Sequence, residues 1–200
     1  MSCLIIRHAH RSQMPSELGQ DTSLNFDENE VPITVEGRKK AQQIGVLISG
    51  QYDAIYYSPI LRCKQTAEFI SLGSGVAIVG ALSFLSSDFF NELTSVSEIQ
   101  KQDIVAAMLR GEEYGYDYNK LSEKMEFLLA RFERLSGKER SIFVTHDWWM
   151  SLFLSWYTPL FESKGYAIWP NFLESFIIDF KRNEIMYRND CFSLPNALPA

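Results

Sequence analysis

Cysteine is scarce in this chain. There are three, Cys3, Cys63 and Cys191, odd in number and far apart. They form no C-x-x-C pair and no zinc spacing, so neither a disulfide framework nor a cysteine-based metal site is expected. Free thiols in a reducing compartment are the expectation. Positive charge is also short. Nineteen Lys and Arg against 25 Asp and Glu leave a net charge of −6 over 200 residues. That argues against a nucleic-acid surface, which needs a basic patch. It leaves room for a small anionic ligand, because a local Arg cluster can focus potential in an acidic protein. Long apolar runs are missing too. The richest, Trp148 to Phe161, falls short of the ~20 residues of a spanning helix. The apolar start, Leu4 to Ile6, has no basic segment before it and does not read as a signal peptide. A cytoplasmic protein with no membrane partner is expected. No internal repeat or low-complexity tract is visible.

What remains is an ordinary globular composition, 46% hydrophobic and 22% charged, long enough for one domain with a proper core. Leu4-Ile5-Ile6 reads as a buried strand that ends in Arg7-His8-Ala9-His10-Arg11. A polar, irregular stretch, Ser12 to Pro32, follows; loops of that length are often binding loops. Thr34 is a helix N-cap, and Ala41, Ile44 and Ile48 recur at helical spacing until Gly50. Tyr52 to Tyr57 is a second strand. Ser58 then reads as a cap and Pro59 as the first helical residue, which sets Arg62 in the first turn. A cation there opposes the helix dipole, and a broken local rule points to function. Val76 to Val79 is a third strand. Residues 83–118 read as a helical insertion. Lys120 to Leu135 is an amphipathic helix with Leu121, Met125, Leu128, Phe132 and Leu135 on its core face. Ser141 to Thr145 is a fourth strand, ending in His146-Asp147 before a helix from Trp148. Residues 174–180 and 184–187 read as a closing hairpin.

Strands alternating with helices predict an α/β three-layer sandwich with a mostly parallel central sheet. In such sheets ligands bind beyond the carboxyl ends of the strands. Three of those ends carry polar groups: Arg7 and His8 with Arg11, Arg62 after Ser58-Pro59, and His146-Asp147. Guanidiniums fork onto phosphate oxygens, and an imidazole between them is a candidate nucleophile.

The motifs in sum resemble the histidine phosphatase superfamily, the fold of cofactor-dependent phosphoglycerate mutases and histidine acid phosphatases. The matching pieces are Arg7-His8-Ala9, Pro32-Ile33-Thr34-x-x-Gly37, Ser58-Pro59-x-x-Arg62-x-x-Gln65-Thr66-Ala67 and Val144-Thr145-His146. The resemblance implies that His8 attacks phosphorus and becomes phosphohistidine, with Arg7, Arg62 and His146 holding the phosphate oxygens. Arg11, a further expected phosphate-binding residue, and the His146-Asp147 pair are similar to the acid phosphatase branch, where the Asp donates a proton to the leaving group. Asp147 is therefore the expected proton donor, with Glu92 and Asp88 as alternatives and an N-cap role as the competing reading for Asp147. Two residues depart from the pattern. Ala9 stands where the family has Gly, which would crowd the site if that position needs positive φ. His10 has no assigned role; a zinc set of His8, His10 and His146 would lack cysteine support and face repelling Arg neighbours.

The function implied is a metal-independent phosphatase for a small phosphomonoester or a phosphorylated protein, with no cofactor. A phosphotransferase or mutase of the same fold is the first alternative. A catalytically weak relative that binds a phosphorylated ligand is the second, and Ala9 is the residue that raises it.

Overall fold

The computed structural model of the chain describes residues 1–13, 27–86, 89, 118–160 and 169–194. The strands are β1 (Ser2–Arg7), β2 (Ala54–Tyr57), β3 (Ala77–Ala81), β4 (Ser141–Thr145), β5 (Ser175–Asp179), β6 (Glu184–Tyr187) and β7 (Asp190–Ser193). They form one sheet in the order β3-β2-β4-β1-β5-β6-β7. The first four are parallel and the last three antiparallel. The expected sheet is present, parallel at its centre with an antiparallel edge, and β7 extends the expected hairpin by a strand.

Alternation along β1 explains its burial on both faces. Cys3 and Ile5 enter one core cluster, and Leu4 and Ile6 enter the other. In β4, Phe143 joins the first cluster, while Ile142 and Val144 join the second. The second cluster is closed by helices α1 (Val35–Leu47) and α2 (Leu61–Ser74), through Ala41, Cys63, Ala67 and Ile70. The first is closed by α3 (Tyr118–Ser136) and α4 (Asp147–Tyr157). The predicted stripe of α3 is there: Leu121, Met125, Leu128 and Phe132 are fully buried, and Leu135 at its end is partly buried against the same cluster. Among the described residues no helix is long and apolar enough to cross a membrane. One edge of the sheet is β3, whose register against β2 shifts between Ile55 and Tyr56, leaving Val79 as a bulge.

Two local readings change. Helix α2 begins at Leu61 with Ile60 at the N-cap position, not at Pro59 behind a Ser58 cap. The reason is the use of Ser58 elsewhere: its N–H continues the sheet edge to the Val144 carbonyl at 2.9 Å, and its hydroxyl faces His146. The helix expected from Trp148 begins at Asp147, with His146 at the N-cap position. Asp88, Glu92 and most of the predicted insertion at 83–118 lie outside the described residues; Ser83–Leu85 form a short 3-10 turn.

Candidate active site

The sheet register brings the strand ends together. Arg7 is opposite Thr145, and Tyr57 is opposite Val144. His8 and His146 therefore emerge side by side at one edge. The His8 N–H still bonds the Thr145 carbonyl at 2.9 Å, and the two rings stand edge to face at 5.5 Å. Both are buried.

His8 has a defined tautomer. Its Nδ1 lies 2.8 Å from its neighbour's carbonyl, Ala9 O, an acceptor only, so Nδ1 carries the proton. Nε2 then presents its lone pair, and Arg62 Nε donates to it at 3.2 Å. Burial is the main force holding His8 well below the usual imidazole range; His146, Arg62 and Arg7 push the same way, against the Ala9 bond. A neutral imidazole with one unprotonated ring nitrogen is what a nucleophile requires. Arg62 also extends Nη2 to within 3.4 Å of His146 Nδ1. One guanidinium thus spans the two rings.

Helix α2 works as a spoke set. Arg62 reaches the rings. Cys63 Sγ lies beneath His146, 3.5 Å from Nε2, and burial raises this thiol to about 12. Gln65 Oε1 accepts from Ile33 N at 2.9 Å. Thr66 Oγ1 accepts from Ala9 N at 2.9 Å and donates to the Arg62 carbonyl at 2.7 Å. The spacing of the Ser-Pro-x-x-Arg-x-x-Gln-Thr-Ala stretch is set by these contacts.

Ala9 does not obstruct. The non-glycine residues with positive φ among those described are Leu173, Asn183 and Arg188. Ala9 has no need of glycine's backbone, and its side chain is fully buried in the second core cluster. The crowding expected from it is absent. His10 lies at the α1 entrance: Thr34 Oγ1 donates to its carbonyl, and its Nδ1 is 3.3 Å from that oxygen. A Cβ at Gly37 would come 2.5 Å from the same carbonyl, which explains glycine where a capping box would place Glu. Arg11 forms a bridge with Ile33 and donates from Nη1 to the Ser12 carbonyl at 3.2 Å.

Asp147 is tied to Arg7. Arg7 Nη2 and Asp147 Oδ2 are 2.6 Å apart, with side chains 12% and 22% exposed. Trp169 Nε1 donates to the same oxygen at 3.1 Å, and the Trp148 N–H donates to Oδ1 at 2.8 Å. Both oxygens are thus occupied as acceptors.

The sequence did not flag the segment that covers Arg7. Arg7 Nη1 donates to the Pro170 carbonyl at 2.6 Å, and its guanidinium stacks 4.0 Å from the Phe172 ring centre. That ring also stands 5.6 Å from His8 and 4.9 Å from His10. A tight turn places it: Glu174 N bonds Asn171 O, with Leu173 at φ 61. Glu174 Oε2 accepts from the Asn171 N–H and Arg188 pairs with Oε1. Burial would raise Glu174, but Arg188, the Asn171 N–H and Tyr187 hold it below its ordinary value. The signal for this turn is β5 itself. Antiparallel to β1, it pairs Ser175 with Ile6, so the residues before it must fall at the nucleophile's end.

Comparison with known proteins places the chain in a family. Residues 3–187 match the histidine phosphatase superfamily (branch 1). The chain belongs to that superfamily. Among solved structures, it is similar to a histidine-to-alanine mutant of phosphoserine phosphatase from Entamoeba histolytica in complex with phosphoserine. Identity is 19%, coverage 96% of each chain and the TM-score 0.60. A phosphoglycerate mutase from Bacillus anthracis str. Sterne matches at 11% identity over 96% of this chain and 91% of that one, with a TM-score of 0.58. The protein histidine phosphatase SixA complexed with tungstate matches at 15% over 96% and 97%, with a TM-score of 0.50. No curated protein matches. The phosphoglycerate mutase-like α/β fold expected from the sequence is the fold observed.

Proposed function

We propose that this superfamily member is a phosphatase that hydrolyses a phosphomonoester through a phosphohistidine on His8. The observation that carries the reading is the His8 ring: Nδ1 protonated and committed to a backbone carbonyl, and Nε2 unprotonated, with Arg62 Nε donating to its lone pair. A phosphoryl group entering here meets the nucleophile and a guanidinium together. His8 Nε2 forms the bond to phosphorus as the bond to the leaving oxygen breaks, and that oxygen takes a proton from solvent water. Water then attacks the phosphohistidine, the P–N bond breaks, and the attacking water's proton passes to solvent as phosphate leaves and Nε2 is freed. Arg62, Arg7 and His146 stabilise the charge on the equatorial oxygens, which is the main demand of phosphoryl transfer. The positive charge comes from side chains, so the reaction as proposed uses no metal.

Asp147 takes a different part from the one its sequence context implies. A proton donor has to release the donors that now hold it. The Arg7 pair and the Trp169 N–H instead make it a positioning residue, one that fixes Arg7 for phosphate binding. The steric ground for a catalytically weak relative is removed by the conformation of Ala9.

The test is His8→Ala. The wild-type protein should hydrolyse an aryl phosphate and yield an acid-labile phosphoenzyme, and the variant should do neither. Hydrolysis that survives in His8→Ala overturns the proposal. A panel of phosphoserine, sugar phosphates, nucleotides and phosphohistidine peptides then identifies the substrate class, since the fold alone does not.

A further inference from the structure

The geometry points to Ser58 as the buried acceptor for His146 Nε2–H that lets the ring carry a second proton on Nδ1 when phosphate binds, an inference that rests on the phosphatase reading for its second half. Ser58 is fully buried. Its Oγ lies 2.9 Å from His146 Nε2. Since Ile60 holds the N-cap position of α2, no capping duty claims this hydroxyl.

The direction of each bond follows from what each group can do. A guanidinium only donates, so His146 Nδ1, facing Arg62 Nη2 at 3.4 Å, accepts. A neutral imidazole carries one proton. It must then lie on Nε2 and point at Ser58 Oγ. The Ser58 hydroxyl accepts it. The Cys63 thiol, 3.5 Å from the same nitrogen, faces the Thr145 carbonyl at 3.6 Å. From Arg62 through His146 to Ser58 the donors run in one direction.

This arrangement has a consequence for an incoming oxyanion. Phosphate oxygens next to Arg62 meet Nδ1 of His146 and require a donor there. If Ser58 keeps accepting from Nε2, the ring gains its second proton on Nδ1 and becomes an imidazolium bonded at both ends. The neighbours that bear on this proton are Arg62 and Cys63 from α2, His8 at the end of β1, and Asp147 next in sequence. Ser58 favours it by giving Nε2–H a buried acceptor. Ser58 is thus a positioning residue: it touches His146, and acts on phosphate through it.

Three histidines make the ring nitrogens of the full chain easy to resolve by 15N NMR. Wild-type His146 should show the Nε2–H tautomer alone, and both nitrogens protonated once inorganic phosphate is added. In Ser58→Ala, Arg62 still holds the empty enzyme's proton on Nε2, but added phosphate should no longer leave both His146 nitrogens protonated. The variant's kcat/KM should fall about tenfold to a hundredfold, the range for an orphaned buried donor, and Ser58→Thr should recover most of it. A Ser58→Ala His146 that takes both protons with phosphate as readily as wild type overturns the inference, as does a folded Ser58→Thr no better than Ser58→Ala. If threonine is too large here, as a lowered Tm would show, the phosphate-bound protonation of His146 in Ser58→Ala decides alone. A wild type that forms no phosphoenzyme sinks the phosphatase reading, yet leaves the phosphate-binding NMR test standing.

Discussion

Asp147→Asn separates two roles that the sequence leaves superimposed. The substitution keeps the shape and one acceptor oxygen but removes the charge that faces Arg7 at 2.6 Å. Both partners are mostly buried, and the lost bond is charge-assisted. Removing one side of such a pair costs about 2 kcal/mol, less than a fully buried pair because some solvent reaches it. A urea melt should show that loss. In catalysis, Arg7 keeps its Pro170 and Phe172 contacts but loses the anchor on Nη2. An unanchored phosphate clamp should lower kcat/KM about tenfold to a hundredfold. The assay compares nitrophenyl phosphate, whose leaving group departs unprotonated, with an alkyl phosphate, whose leaving group needs a proton. A positioning role predicts the same loss for both and an unchanged pH profile. A proton donor predicts about 10²–10⁴-fold loss on the alkyl ester, little on the aryl ester, and a flattened profile. That second pattern would refute the assignment made here.

Other predictions follow from the same site. Folded His8 resists protonation while the unfolded chain protonates near 6.5, so the unfolded state binds more protons and wild-type stability falls as pH drops below 6.5. His8→Asn should therefore gain stability relative to wild type in that window, measured by urea midpoints at pH 7.5 and 5; a gap independent of pH counts against the buried neutral imidazole. Phe172→Ala removes the ring stacked on Arg7 and should lower kcat/KM by about fivefold, equivalent to about 1 kcal/mol. Cys191 is exposed while Cys3 and Cys63 are buried, so a thiol reagent should titrate one cysteine in the native protein and all three after denaturation.

The sequence made much of this legible because its signals are local. The α3 stripe, the Thr34 cap and the strand ends that carry Arg7, His8 and His146 are patterns of neighbouring residues. Ser58 was misread for the same reason: a serine before proline is a good local cap, and only β2–β4 pairing reveals its partner 88 positions away. Ala9 was suspect because glycine is usual there, yet its conformation depends on Thr66 holding its N–H. Asp147 looked like a donor beside His146; its tie to Arg7 depends on β1 lying next to β4. Phe172 had only the strand after it as a signal, and nothing in the composition of β5 names β1 as its partner.

The bulge in β3 matters beyond the sheet it belongs to. This outer strand is uncharged, and Ile78 and Val79 are 37% and 56% exposed, a profile that invites other chains to stack on indefinitely. The extra residue breaks the even spacing of its outward N–H and C=O groups, so an arriving strand finds no straight template. Deleting Val79 should restore that template and shorten the protein's lifetime as a clear solution at high concentration.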